Sequence, residues 1–261
     1  MPTDAYFVRL DRHHFRATGH TGGAWTQGEQ HIAPMAGLLL HEIERTAGPD
    51  GPDGKVLGRF TLDIHGVVGV DDFEVAVEVV RPGRTIALLE ARATWAGRTV
   101  AVARAWRLTP SDTAEGAGGA PPALPGPETL PSWDMTSVWP GDYIASLDVR
   151  REPDAQPGRA VAWVRSPVEL VADEPVSDLA RWVGLLDTAN GLAVRESPKE
   201  WLFPNVDLTL HLHRQPTGRW VGFDTTVVFG DAGLGLTETV VHDVAGPVGR
   251  LAQVLTVRRG A

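Results

Sequence analysis

The sequence predicts an α+β fold built from two similar halves, each a helix wrapped by a curled antiparallel sheet. Three observations predict it. A Pro/Gly/Ala-rich stretch sits near the middle of the chain, a helix followed by a strand meander occurs on either side of it, and one offset superimposes the two sides.

The central stretch runs from Thr109 to Pro131 (TPSDTAEGAGGAPPALPGPETLP). Its composition buries no apolar surface, so it reads as a linker. We therefore divide the chain into an N-terminal unit over 1–108, a linker over 109–137 and a C-terminal unit over 138–261. In the first unit Pro34 to Glu44 has apolar residues at helical spacing, and Gly48-Pro49 ends the helix. Strand-like runs follow at Leu57–Ile64, Phe73–Val80, Thr85–Trp95 and Thr99–Leu108, separated by turn signals such as Arg81-Pro82-Gly83 and Ala96-Gly97. In the second unit Ser177 caps a helix expected to run to about Arg195. Strands then fall near Val206–His213, Gly218–Phe229, Gly235–Val244 and Val248–Arg258. Aligning Ala96-Gly97 with Ala245-Gly246 gives an offset of 245 − 96 = 149. That offset sets Leu38 on Asp187, Phe60 on Thr209 and Arg104 on Gln253. Two such sheets can join edge to edge and hide strands that one half would leave unpaired.

Composition narrows the function. With 261 residues, 43% of them hydrophobic, the chain can bury a substantial core, and global disorder is excluded. A net charge of −9 provides no basic excess to neutralise a phosphate backbone, so nucleic acid is not an expected partner. No run approaches the ~20 apolar residues of a membrane span, and Met1-Pro2-Thr3-Asp4-Ala5 lacks the charge pattern of a signal segment. A soluble, cytoplasmic protein is the expectation. Without cysteine there are no disulfides, thiolate nucleophiles or cysteine-ligated metals. Among nine histidines the close pairs are His13-His14 and His211/His213, and neither has an evident third ligand, so neither a metal nor a cofactor is expected.

Candidate chemistry comes from polar residues in apolar settings. On a helical wheel Asp187 falls among Val176, Ala180, Val183, Gly184, Asn190, Gly191 and Val194, away from Asp178, Arg181, Arg195 and Glu196. A carboxylate so placed either meets a local cap or a buried arginine, or keeps a raised pKa and handles a proton. Thr209, His211 and His213 share one face of a strand whose other face is Val206, Leu208, Leu210 and Leu212. Either face can be the inner one. If the threonine face is inward, the leucine row is exposed and favours self-association into a homo-oligomer. Gln253 alternates with Leu251, Leu255 and Val257, so its amide needs a partner, either backbone, a ligand, a water or Asp187. Gln27, Glu29 and His31 precede the first helix and either cap it or line a pocket.

The segments Leu186-Asp187-Thr188-Ala189-Asn190-Gly191, Asp207-Leu208-Thr209-Leu210-His211-Leu212-His213-Arg214 and Leu251-Ala252-Gln253 resemble the C-terminal half of acyl-CoA thioesterase II-type double hotdog proteins. Gly28-Glu29-Gln30-His31-Ile32 and Gly83-Arg84 resemble that family's first half. The resemblance implies a double hotdog fold, an acyl-CoA or related thioester substrate, and hydrolysis by a water oriented by Asp187, Thr209 and Gln253. His211, His213, Arg214 and Asn190 are the candidate substrate contacts, with Arg214 facing a CoA phosphate or standing solvated at the surface. Two alternatives accompany it. One is a hotdog enoyl-CoA hydratase, whose D-x-N-P-x-H motif is echoed by Asp187-Thr188-Ala189-Asn190-Gly191 without its Pro and His. The other is a protein that binds a hydrophobic thioester and does no chemistry.

Overall fold

The computed structural model of the protein describes residues 4–23, 25–26, 28–47 and 54–260. In the first half β1 (Ala5–Arg9) and β2 (His14–Ala17) precede helix α1 (Ile32–Ala47), and β3 (Val56–Ile64), β4 (Asp72–Arg81), β5 (Ile86–Trp95) and β6 (Arg98–Leu108) follow it. The second half runs α2 (Asp142–Ala145), β7 (Asp148–Arg151), β8 (Arg159–Arg165), β9 (Glu169–Val171), α3 (Asp178–Val183) and α4 (Ala189–Leu192). It ends with β10 (Trp201–Leu202), β11 (Asp207–Leu212), β12 (Val221–Phe229), β13 (Leu234–Asp243), β14 (Gly246–Thr256) and β15 (Arg258–Arg259). The expected stop at Gly48-Pro49 lies outside the described residues.

All but β10 and β15 join one sheet in the order β7-β8-β12-β13-β14-β11-β3-β6-β5-β4-β2-β1-β9. The order is mirrored about the antiparallel pair β3 and β11, where Leu62 stands opposite Leu208 and Phe60 opposite Leu210. The halves thus join edge to edge, as the tandem reading expects. Strand β9 crosses back to pair in parallel with β1, so the second half also covers the outer edge of the first. Strands β1, β2, β7, β8 and β9 are missing from the sequence prediction. Each is short, the longest having seven residues, too short for a long periodic pattern, and β2, β8 and β9 also take pairings from strands distant in the chain.

The sheet also corrects the offset between the halves. The ladder pairs Trp95 with Arg98 and Asp243 with Gly246, so the two-residue turns are Ala96-Gly97 and Val244-Ala245. The two Ala-Gly pairs therefore occupy different places. Ala96 and Gly97 both adopt positive φ, 49° and 73°, whereas the second turn is held by Asp243, whose carboxylate accepts from Ala245 N at 2.8 Å. The true strand offset is 148. Buried Leu89, Ala91 and Ala93 match buried Thr237, Thr239 and Val241 at that spacing. A slip of one residue exchanges inner for outer side chains, so Phe60 corresponds to Leu208 and Ala105 to Gln253.

Helix α1 buries Met35, Leu38, Leu39, Leu40 and Ile43, each contributing roughly 1.5–3 kcal/mol of burial. It crosses α3 closely at Gly37, where an added Cβ would come 2.7 Å from Ala180 O and 2.9 Å from Gly184 Cα. A glycine is required there by space. Residues 109–137 contain no strand, and they lie against the second half through Trp163 Nε1 donating to Pro125 O at 2.8 Å and Trp133 N donating to Val149 O at 2.9 Å. Among the described residues no helix is long and apolar enough to cross a membrane.

Candidate functional site

The helix that begins at Ser177 starts as expected, with Ser177 Oγ accepting from Ala180 N at 2.9 Å. It does not run to Arg195. Helix α3 stops at Val183, residues Leu186–Thr188 form a 3-10 turn, and α4 is a separate short piece. The cause is local. Gly184 O accepts from Tyr143 Oη at 3.0 Å, while Thr188 N and Thr188 Oγ1 both turn to Leu185 O. The α-helical ladder is thereby tightened, and Asp187 projects from the 3-10 turn instead of from a helix face.

Asp187 is 5% exposed. Its Oδ1 accepts from Asn205 Nδ2 at 2.6 Å and from Gln253 Nε2 at 2.9 Å. Burial pushes its pKa up from 3.8 to about 7, and the two donated hydrogen bonds pull in the opposite direction without prevailing. Oδ2 has no hydrogen bond among the described residues; the nearest ring nitrogen is His31 Nδ1, 3.8 Å away. That contact is not an ion pair. Burial pushes His31 down to about 3, and its Nδ1 accepts from Ala33 N at 3.1 Å, so the ring is neutral and has no proton on the side facing the acid.

Asp187, Asn205 and His31 line a cavity of about 300 Å³ between the halves. The first half supplies Trp25, Gln30, His31, Ile64 and Val68, and the second supplies Met135, Trp139, Ile144, Asn190 and Gly191. Trp25, Trp139 and Phe203 meet edge to face with centroids 5.1–5.6 Å apart, forming an aromatic corner. Trp139 is fixed by donating to Gly191 O at 3.0 Å. A Cβ at Gly191 would come 2.9 Å from Met135 Cε and 3.2 Å from Trp139 Nε1. His65, Gly66 and Val67 are exposed and mark the open side.

The structure brings Asp187 and Gln253 together and sets Asn190 on the same cavity, its Nδ2 3.5 Å from Phe203 O. It does not bring Thr209 to them. Leu208 and Leu210 are wholly buried, so by alternation Thr209 lies on the outer face of β11, opposite Thr61 on β3 and Ala252 on β14. His211 and His213 lie on that outer face too, and both are exposed. The leucine row is inside, which removes the ground for expecting self-association through it. Arg214 is corrected as well. It forms a bidentate pair with the fully buried Asp243 at 2.6 and 2.5 Å and donates to Pro247 O and Gly246 O at 3.1 and 2.8 Å. Its guanidinium is spent on the β13–β14 turn.

Of two further residues of the cavity, Asn205 carried no role in the sequence and His31 only the alternatives of cap or pocket lining, both of which it fills. Asn205 lies in the lead-in to β11, and the signal for it is a polar residue between Phe203-Pro204 and an apolar strand. His31 stands immediately before α1, at a position where a capping side chain is common. Gln27 lies outside the described residues. Elsewhere His41, Glu42 and Glu174 bring three ligand-type atoms within 4.8 Å. Arg9 already bonds both acids there, Glu42 at 2.5 Å and Glu174 at 2.6 Å, so the cluster reads as an ion-pair network tying α1 to the second half.

Comparison with known proteins adds an independent finding. A family model described as acyl-CoA thioesterase N-terminal domain matches residues 21–108, and one described as acyl-CoA thioesterase C-terminal domain matches residues 124–257. No curated protein matches the chain. Among solved structures, a candidate thioesterase from Novosphingobium aromaticivorans DSM 12444 is 20% identical, with 98% of each chain covered and a TM-score of 0.72. A protein with a hot dog fold from Alicyclobacillus acidocaldarius is 15% identical over 99% of this chain and 98% of its own, with a TM-score of 0.75. An acyl-CoA thioesterase II from Mycobacterium marinum is 17% identical over 99% and 96%, with a TM-score of 0.68. At these identities the structural likeness establishes the fold, a double hotdog.

Proposed function

The chain belongs to the acyl-CoA thioesterase family, and on that footing we propose that it hydrolyses an acyl-CoA thioester to the free acid and CoA, with Asp187 as the base that activates water. One observation carries the reading. A buried carboxylate has one oxygen pinned by two amides and the other free beside an apolar cavity. Asn205 donates to Asp187 where the family resemblance implies Thr209.

The chemistry follows from the geometry. Asn205 and Gln253 fix the plane of the carboxyl, so Oδ2 presents its lone pairs in one direction. Water held at Oδ2 attacks the thioester carbonyl carbon and gives its proton to Asp187. The C–S bond then breaks, and the proton passes from Asp187 to the departing CoA thiolate, which regenerates the base. A base that ionises near pH 7 serves both steps, since it accepts and releases the proton at little cost. The acyl group lies along the aromatic and aliphatic wall of the second half, and the CoA portion leaves by the open side at His65–Val67.

Free-thiol release from a panel of acyl-CoAs tests the proposal, with loss of the enoyl chromophore measured alongside. Thiol release that disappears in Asp187→Asn supports hydrolysis. Chromophore loss without thiol would make the protein a hydratase, and an unchanged ligand after long incubation would make it a binding protein.

A further inference from the structure

Resting on the thioesterase reading, we propose that His31, from the first half, is a catalytic residue whose Nε2–H donates to the thioester carbonyl oxygen and holds the oxyanion formed when water attacks.

The tautomer is set by the helix. Ala33 N–H donates to Nδ1, which occupies that nitrogen's lone pair, so a neutral ring carries its proton on Nε2. Nε2 has no hydrogen-bond partner among the described residues. Nor does it belong to the sealed polar atoms that lack one, such as Gln30 Oε1 and Gln253 Oε1, so it opens onto the cavity that His31 lines. A polar N–H in an apolar cavity is an unmet donor.

The ring is also held still. It packs against Tyr143 at a tilt of 34° with centroids 4.4 Å apart, and Tyr143 is anchored by its bond to Gly184 O. A donor that does not reorganise when charge develops is the kind that stabilises an oxyanion most. His31 stands at the start of the 16-residue α1, whose dipole adds positive potential at the same place. Its other nitrogen is 3.8 Å from Asp187 Oδ2, and both residues line the same cavity, so the ring and the base reach one bound substrate. Neutrality matters here. An imidazolium would pair with the carboxylate and quench the base, whereas a neutral ring donates without competing for the proton, and burial keeps it neutral at working pH. The site is then assembled from both halves, with the acid and amides from one and the electrophile from the other.

The plainer role for His31 is as a helix cap only, and His31→Ser separates the two. Serine caps a helix well but is too short to place a donor where Nε2 stands. Thiol release by this variant is expected to fall about 10²–10³-fold in kcat with little change in KM. A variant that keeps the parent kcat overturns the proposal. A second measurement on the parent needs no variant. A carbonyl-¹³C ketone analogue of acyl-CoA, with methylene in place of sulfur, is expected to show a downfield carbonyl shift on binding, and His31→Ser to lose it. A bound ketone with the free-ligand shift would also overturn it. Failure of the parent to release thiol from any acyl-CoA sinks the thioesterase reading itself, which is a different outcome from thiol release that is indifferent to His31.

Discussion

Replacement of Asp187 by Asn is expected to remove activity and raise stability together, by an amount that depends on pH. In the unfolded chain this carboxyl ionises near 3.8, and in the fold near 7. Between those values the folded state holds a proton that the unfolded state has lost, so stability falls as pH rises, and the full deficit is present above about pH 7. At about 1.36 kcal/mol per pKa unit the deficit is roughly 4 kcal/mol. Asn stays neutral, is nearly the same size, and keeps an oxygen to accept from Asn205 and Gln253. The variant should therefore match the parent near pH 4 and exceed it by up to roughly 4 kcal/mol at pH 8, on the order of 10 °C in Tm. Thermal unfolding by circular dichroism at the two pH values measures this. In the thiol-release assay kcat should fall at least ~10²-fold. A difference in Tm between variant and parent that is the same at both pH values would refute the reasoning, because the carboxyl would then not be titrating abnormally.

The same group sets the pH profile: kcat/KM of the parent should rise about tenfold per pH unit up to about pH 7 and then level, and a profile flat from pH 5 to 8 would contradict Asp187 as the base. Gln253→Ala removes a hydrogen bond that favours the ionised acid, so the acid limb of that profile should move to higher pH. Arg214→Ala leaves Asp243 buried without its counter-charge, although Thr217 and Ala245 still donate to it, and urea unfolding should report a loss of about 3 kcal/mol or less while KM for acyl-CoA is unchanged. Trp139→Ala opens the aromatic corner, and the chain-length optimum in kcat/KM should shift to longer acyl groups. An equal loss for all chain lengths would mean that Trp139 only holds the fold.

The sequence by itself determined the duplication, the order of helix and meander, and the two polar residues, Asp187 and Gln253, that sit among apolar neighbours. These are local signals, because periodicity and composition are read within a few turns of chain. Tertiary structure decided what depends on distant partners. Both faces of β11 alternate correctly, and Leu208 and Leu210 turn inward because the strand pairs with β3, where Leu62 and Phe60 supply the matching inner row. That choice sends Thr209, His211 and His213 outside. The two Ala-Gly pairs suggest an offset that the ladder shows to be one residue out, since a carboxylate at Asp243 replaces the glycine that the first turn uses. His31 and Asp187 are 187 − 31 = 156 residues apart in the chain and 3.8 Å apart in space. No local pattern reports such a meeting. It exists because two sheets join at β3 and β11 and bring the start of one half's helix against the broken helix of the other.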